Sequence, residues 1–305
     1  MLIATLRQYL PSAFLLALVL VYSAAHASSE DIADVATSDA PVDTIKNKAE
    51  DLALTTANQK INIFEGIALD NGWTHLDLNL GWESGKPTLG IMSVYGLRET
   101  NNWFIFNQSS LVNYDERNTV NLGFGARHIN DTDTLILGAN AFYDYELNSG
   151  HQRTSLGIEW LTQPIQARAN LYRNLTGSIL YKGTYEEVLD GHDFKLAYRL
   201  PTTQISHLYY KTTNWSDSQA YRSSTGELGI TSQITENVKM SLSAQKIDKE
   251  SVSGLVSFTY SIPLGEPEAD SGNNKSVRHM LYKPVQRENR IKKKSVKLGV
   301  TASGY

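Results

Sequence analysis

The sequence predicts an all-β protein, a transmembrane antiparallel up-and-down β-barrel of about 12 strands. Three observations favour this fold class. Segments of about ten residues with alternating apolar and polar side chains recur between residues 73 and 262. The connections between these segments are alternately short and longer, and the chain opens with an export signal. Long strands with turns that are short on one side only are typical of an outer-membrane barrel.

Residues 1–27 have the three parts of a secretory signal peptide. Arg7 supplies a positive charge, residues 13–21 are apolar, and residues 25–27 form a small-x-small cleavage site. The alternative is an uncleaved anchor, but the apolar stretch is short for a helix that spans a bilayer. We therefore expect cleavage after residue 27, with the mature chain exported.

Residues 28–70 are predicted to form a periplasmic spacer. The first part is polar, and the pattern at 45–68 is only weakly that of an amphipathic helix. A short helix there is the alternative. The spacer would place the start of the barrel on the periplasmic side of the outer membrane.

Residues 71–264 are predicted to form the barrel. In residues 74–82 apolar side chains occupy every second position, and polar residues or glycine stand between them. The same alternation recurs at 120–128, 165–172, 193–200, 238–245 and 256–262. Alternation also fits a soluble sandwich, whose apolar faces pack against each other rather than against lipid. The strand lengths, the connections and the export signal favour the membrane barrel.

The connections predict the orientation of the barrel. We expect short turns at 131–133, 162–164 and 235–237, and longer connections at 147–152, 174–191 and 213–224. An even number of strands returns the chain to its starting side, which for an exported N-terminus is the periplasm. The longer connections then face outward, where 174–191 and 213–224 are the candidate surface contacts.

Side-chain position along the strands predicts two further features. Aromatic residues near strand ends are candidates for membrane-interface girdles, with ordinary sheet packing as the alternative: Trp73, Trp82, Tyr95, Trp103, Trp160 and Tyr260. The alternation also turns both acidic and basic residues inward: Asp77, Asp144, Glu159, Asp193, Glu227, Arg127, Arg168, Lys195 and Arg199. We therefore expect a polar lumen of mixed charge.

The sequence offers no catalytic or metal-binding pattern. The chain has no cysteine, which excludes disulfides and thiolate metal sites, and its histidines lack the His-x-x-x-His spacing of a metal site. An outer-membrane hydrolase is the rival hypothesis, for which His151 and Ser155 have suitable side chains, but there is no Gly-x-Ser-x-Gly motif. We expect no enzyme activity, cofactor or metal.

Residues 265–305 are predicted to be a basic linker. A polar, turn-rich stretch is followed at 275–297 by nine lysines and arginines: Lys275, Arg278, Lys283, Arg287, Arg290, Lys292, Lys293, Lys294 and Lys297. A solvated charged tail is one alternative. Nucleic-acid binding is another, but it does not suit an exported chain, and the net charge of −4 says nothing about it.

Seven segments carry a resemblance to a known family, the intimin/invasin family. In order they are VYGLR (94–98), VNLGFGARHI (120–129), LILGANAFYDYEL (135–147), RTSLGIEW (153–160), ARANLYRNLTG (167–177), GHDFKLAYRLP (191–201) and SGLVSFTYSIPLG (253–265). The chain thus resembles the β-domain of the inverse autotransporters, which use type Ve secretion.

The resemblance implies that a linker comes after the last strand, threads the lumen and is partly helical there. The residues that match its motif are Tyr282, Val285, Gln286, Arg287, Asn289 and Ile291. The implied function is an outer-membrane translocator and anchor of an adhesin- or invasin-like virulence protein, exporting or anchoring its C-terminal segment. The implied partners are outer-membrane lipid, the barrel insertion machinery and a host or matrix receptor. A porin-like channel and an adhesin that binds through its loops are the alternatives.

The chain departs from the family pattern in two places. Pro284 falls in or next to the expected helix, and the family's apolar and acidic continuation is replaced by lysines at 292–294. Residues 296–305 can supply one strand at most, so we expect no immunoglobulin-like passenger domain in this sequence.

Overall fold

A computed structural model describes residues 73–83, 86–201, 206–217, 220–248, 250–263 and 276–296. The predicted signal peptide and spacer lie outside the described residues, as do 264–275 and 297–305 of the linker and the side chain of Trp73. No helix in the described part of the chain is long and apolar enough to cross a membrane.

Twelve antiparallel strands form a closed barrel, which confirms the predicted fold class. The strands are β1 (Trp73–Glu83), β2 (Lys86–Glu99), β3 (Trp103–Tyr114), β4 (Arg117–Ile129), β5 (Ile136–Glu146), β6 (Gln152–Leu161), β7 (Ile165–Asn174), β10 (Asp190–Arg199), β11 (Ser206–Ser216), β12 (Arg222–Gln233), β13 (Val238–Ile247) and β14 (Ser253–Pro263); β8 (Ile179–Tyr181) and β9 (Thr184–Val188) form a hairpin between β7 and β10, and β15 (Lys293–Val296) joins that hairpin. β1 pairs with β14, for example at Leu78 and Tyr260, so the barrel has no open edge.

The strand alternation separates an apolar outer wall from a lumen. Leu156 and Ile158 on β6 are 63% and 65% exposed, whereas Arg153 and Glu159 on the same strand are buried. Exposed apolar side chains continue on neighbouring strands at Phe124, Leu137, Leu171, Leu196, Leu208, Leu228 and Leu242. An apolar belt of this size, spread over many strands, is the surface that lipid covers.

The connections do not follow the predicted rule that one side has only short turns. We call the end where β1 begins the turn end, and the opposite end, which carries β8 and β9, the hairpin end. Two residues, Asp115 and Glu116, join β3 to β4 at the hairpin end with φ values of 52° and 61°. The turn at 130–135 on the other end is longer. Within it the backbone amides of Thr134 and Leu135 donate hydrogen bonds to the side-chain oxygen of Asn130.

Two predicted long connections also differ in detail. β11 and β12 pair as far as Ser216 and Arg222, so only 217–221 connect them and the predicted connection at 213–224 is too long. The connection at 174–191 is long as predicted, but it contains the β8–β9 hairpin. Its two-residue turn is Lys182-Gly183, both at positive φ, which glycine adopts without strain.

The lumen is not uniformly polar, in contrast to the expectation from strand alternation. Toward the turn end an apolar cluster fills it, made by Val94, Phe104, Phe106, Ile129, Ile136, Phe142 and Leu161 of the wall with Val277, Met280, Leu281 and Val285 of the linker. Gly125 and Gly123 face this cluster, and their missing side chains make room for the rings of Phe106 and Phe142. The inward glycines therefore allow large aromatic residues on the neighbouring strands.

Replacement of Gly125 by alanine should destabilise the barrel. The added methyl group would overlap the fully buried Phe106 ring, and overpacking of this kind costs about 1–3 kcal/mol. Gly254→Ala is the matched control, because nothing lies within 4 Å of the position of its Cβ. The measurement is the urea midpoint of unfolding in lipid vesicles, and equal midpoints for the two variants would contradict the packing of Phe106 into this gap.

Candidate functional site: the segment inside the barrel

Residues 276–292, which we call the lumen segment, enter the barrel at the turn end. The Val277 amide donates to the carbonyl oxygen of Asp133 at 2.7 Å. The Arg278 guanidinium donates to both carboxylate oxygens of Asp133, at 2.8 and 3.0 Å, and to the Asn101 carbonyl oxygen at 2.9 Å. Asp133 stands in the β4–β5 turn, so the segment is fixed to that turn before it passes between the walls.

Helical structure in the described linker is limited to one 3-10 turn, Arg278–Met280. Pro284 comes soon after, and proline lacks a backbone N–H and disfavours helix in the preceding residue. The remaining residues up to 292 form neither helix nor strand. Their backbone polar groups therefore need partners from the barrel wall.

Arg127 on β4 supplies donors for the first part of the segment. Its Nη1 donates to the carbonyl oxygens of Leu281 at 2.7 Å and Lys283 at 2.6 Å. Its Nε donates to Glu159 at 2.8 Å, and the guanidinium lies over the Phe106 ring. A buried cation thus neutralises Glu159 and satisfies two carbonyl groups that no helix or sheet satisfies.

The Gln108 side chain on β3 makes the two backbone hydrogen bonds that a neighbouring strand would make in a sheet. Its Oε1 accepts from the Val285 amide at 2.7 Å, and its Nε2 donates to the Val285 carbonyl oxygen at 3.3 Å. Val285 is 1% exposed, so both backbone groups would otherwise lack partners. Closer to the turn end, the Tyr282 ring packs edge-on against Phe104, and its hydroxyl donates to Glu99 at 2.5 Å.

Asp144 on β5 holds the centre of the segment. The Arg287 guanidinium donates to both of its carboxylate oxygens, at 2.8 and 2.6 Å, and Arg153 donates to it at 2.8 Å. The side chains of all three residues are fully buried. The bidentate geometry fixes the Arg287 side chain in position and orientation.

Side chains on β4, β6 and β7 bind the backbone around Arg287. Three side chains donate to carbonyl oxygens: Asn170 to Gln286 at 3.3 Å, Arg153 to Glu288 at 2.6 Å and Asn121 to Asn289 at 2.9 Å. The Tyr172 hydroxyl accepts from the Glu288 amide at 2.8 Å and donates to Asp193. Several strands of the wall therefore hold this stretch together.

The segment leaves the lumen at the hairpin end. Arg290 pairs with Glu83 at 2.5 Å, and Ile291 is buried. β15 then pairs antiparallel with β9, with Lys293 opposite Val188 and Lys294 opposite Glu187. The result is a three-stranded sheet over this end of the barrel.

The lysines that depart from the family pattern have acidic partners here. Lys293 pairs with Glu146, and Lys294 pairs with Asp217 and with Glu187 at 3.0 Å. Hydrogen bonds to Asp217 and Glu187 raise the pKa of Lys294 above its usual value. The basic tail is thus complementary to the acids around this opening.

The six residues named for the linker lie at successive heights along the barrel. Tyr282, Val285 and Arg287 contact the wall through the side-chain or backbone contacts described above. Gln286 and Asn289 contact it through their carbonyl oxygens, and the Gln286 side chain is exposed. The sequence did not identify the wall residues that hold them, chiefly Gln108 and Arg153, although strand alternation turns both inward.

The girdle candidates lie toward both ends of the strands. Trp103 and Trp160, toward the turn end, are 49% and 42% exposed on the outer wall. Tyr95 and Tyr260 lie toward the same end, Trp82 lies at the hairpin end, and all three are half-buried. Their role at the membrane interface stays a prediction.

The structure does not bring the hydrolase candidates together. The His151 ring lies 3.3 Å from the Thr176 hydroxyl and 3.7 Å from Glu186, and no hydrogen bond joins it to Ser155. Within the described ranges no group of three or more His, Asp or Glu side chains could hold a metal ion.

Arg287→Ala should lower stability far more than the exposed replacement Arg173→Ala. Loss of Arg287 breaks a fully buried pair, at a cost on the order of 3 kcal/mol. Arg173 pairs with Asp190, but its side chain is 73% exposed, and such pairs contribute less than about 1 kcal/mol. Unfolding midpoints in lipid vesicles, together with the rate of trypsin cleavage within 276–292, compare the two variants. Equal losses would mean that Arg287 does not anchor the segment.

Comparison with known proteins identifies the group to which the chain belongs. A family model described as "Inverse autotransporter, beta-domain" matches residues 21–289. A protein named attaching and effacing protein homolog from Escherichia coli K12 is 27% identical over 135 residues, which are 44% of this chain and 44% of that protein. The inverse autotransporter adhesin YeeJ from the same strain is 36% identical over 104 residues, 30% of this chain and 4% of that protein.

The chain therefore spans less than half of either relative. A solved structure from work on the in-meso crystallisation of membrane proteins has a TM-score of 0.66 and 17% identity, covers 73% of this chain and 100% of its own, and shows the fold alone. The family match confirms the resemblance carried by the seven sequence segments. The chain belongs to the inverse autotransporter β-domain family, whose barrels lie in the bacterial outer membrane.

Proposed function

We propose that the protein anchors and translocates a C-terminal segment, with its barrel in the outer membrane and residues 276–292 held across the pore. One observation carries the proposal. The wall partners of successive segment residues lie progressively closer to the hairpin end, from Asp133 through Asp144 to Glu83, and the chain then joins β9. The part of the chain beyond residue 296 is thereby delivered to the side of the barrel that carries the hairpin.

The orientation and the segment boundaries belong to the same proposal. A signal peptide at 1–27 and a spacer at 28–70 would leave the turn end in the periplasm, with the barrel at 71–264 and the linker at 265–305. The hairpin end and β15 then face outward. The protein needs no catalytic group for this role, and we propose that it is not an enzyme.

This role implies three kinds of partner. Lipid of the outer membrane covers the apolar belt, and the barrel insertion machinery would assemble it. One relative is named an adhesin, so we propose that the outward residues serve contact with a host or matrix surface. The hairpin at 174–191 is the largest outward connection and is the first candidate for such contact. Nucleic acid has no part in the proposal.

An epitope fused after residue 305 should be accessible to antibody on intact cells, because the lumen segment directs the chain outward. The same epitope placed in the turn at 162–164, which lies at the turn end, is the control and should bind antibody only after the outer membrane is permeabilised. Flow cytometry measures both. A C-terminal epitope that stays hidden until permeabilisation would refute outward delivery.

Deletion of residues 266–305 should raise the ion conductance of the barrel sharply. The deletion removes the segment whose Val277, Met280, Leu281 and Val285 fill the lumen toward the turn end together with the wall residues. Single-channel recording in planar lipid bilayers compares the deletion variant with the full chain. A porin-like barrel with an open pore would conduct equally in both forms, and that result would contradict the anchor.

A further inference from the structure

The lumen segment lies against one part of the barrel wall. Its backbone carbonyl and amide groups are held by side chains on β3, β4, β6 and β7, and its central arginine by Asp144 on β5. These wall positions carry large side chains, among them Arg127, Arg153 and Tyr172, which are 0–1% exposed. Large buried side chains thus occupy the lumen beside β4, β6 and β7.

The opposite part of the wall leaves space. A cavity of about 450 Å³ lies between the segment and β10–β14, β1 and β2, and it reaches Ser110 and Val112 on β3. The lining residues on β12–β14 include small hydroxyl side chains: Thr231, Ser241, Ser243, Ser257 and Thr259. The lining begins near the turn end, at Asp77 and Lys239, and extends to Glu83 at the hairpin end. The cavity thus runs along most of the strand length.

Three amines that face this cavity form no close ion pair with an acid. Lys195 and Lys211 stand directly opposite each other on β10 and β11, and Arg168 is opposite Lys195 on the other side. Within the described ranges Lys195, Lys211 and Lys239 have no carboxylate oxygen within 4.0 Å. Like charges placed directly opposite repel each other, and a mobile anion between them lowers that repulsion.

The acids that line the same cavity already have partners. Glu83 and Glu288 pair with Arg290, and Asp77 lies 2.8 Å from His75. Asp193 accepts hydrogen bonds from Tyr172 and Asn170. Glu227 accepts hydrogen bonds from the hydroxyls of Tyr209 and Ser243. Asp144, behind the segment, forms ion pairs with two arginines, Arg153 and Arg287. The described lining of the cavity thus carries six lysine and arginine side chains against five carboxylates, so its formal charge is positive by one: Lys195, Lys211, Lys239, Lys283, Arg287 and Arg290 against Asp77, Glu83, Asp193, Glu227 and Glu288.

We propose that this cavity is a narrow, water-filled pathway along which small inorganic anions pass the lumen segment while the segment stays in place. Hydroxyl groups at five positions replace part of an ion's hydration shell, and the lysines without close ion pairs favour anions over cations. The pathway is a further activity of the barrel. It requires the segment to remain bound and does not depend on the direction in which the chain is delivered.

The test is electrical recording from the purified full chain in planar bilayers under a potassium chloride gradient. We expect small current steps whose reversal potential has the sign of chloride selectivity. Ser241→Phe combined with Ser243→Phe fills the hydroxyl wall and should reduce the conductance about tenfold or more. Leu242→Phe is the control on the same strand, since Leu242 faces outward and is 41% exposed. It should leave the current unchanged.

A second variant tests the charge without filling the space. Lys195→Gln combined with Lys211→Gln should move the reversal potential toward that of potassium while current steps persist. Two results overturn the proposal: a full chain that is silent where the 266–305 deletion conducts, or currents that neither variant alters. Either result leaves the antibody test of outward delivery unaffected, so failure of the pathway and failure of the anchor are distinguishable.

Discussion

An irregular stretch of backbone at membrane depth is possible only if every buried amide and carbonyl finds a partner. In the lumen segment, side chains of the wall supply many of these partners in place of a ladder of strand bonds. Arg127 serves the carbonyls at 281 and 283, and Gln108 serves both groups of Val285. Since each partner belongs to a particular strand, the closed barrel must form before these bonds can exist together. Segment and wall therefore depend on each other for a single arrangement.

Ion pairs between the barrel and the segment fix the position of the segment along the barrel axis. At five levels the barrel contributes the acid and the segment or β15 the base: Asp133 with Arg278, Asp144 with Arg287, Glu83 with Arg290, Glu146 with Lys293 and Asp217 with Lys294. A shift of the chain by one residue would separate several of these pairs at once, and some of the charges are fully buried. Desolvation makes such pairs weak contributors to net stability, but breaking them is costly. Their value here is to define the register of the chain in the pore.

Strand alternation was enough to predict the barrel, its strand number and the inward position of residues such as Asp144 and Glu159. It could not predict contacts that join positions far apart in sequence. The β8–β9 hairpin is an example, since the third strand of its sheet is supplied by β15. Alternation also could not reveal the apolar cluster, because Phe104 and Phe106 look like lipid-facing residues until Gly125 shows where a ring fits. The helix implied by resemblance is reduced to one turn, since Pro284 interrupts it.

The two halves of the lumen differ because the residues that alternate inward differ in size. On β3–β7 the inward positions carry arginines, aromatic rings and amides, which reach the segment and consume the space. On β12–β14 most of the polar side chains that line the cavity are the smaller serine and threonine, beside Glu227 and Lys239. A segment held from all sides would need a narrower barrel or a bulkier chain, whereas a segment held from one side needs only one wall of long side chains. The segment is therefore held mainly by β3–β7, with Glu83 on β1, while β12–β14 carry the shorter hydroxyl side chains that line the cavity.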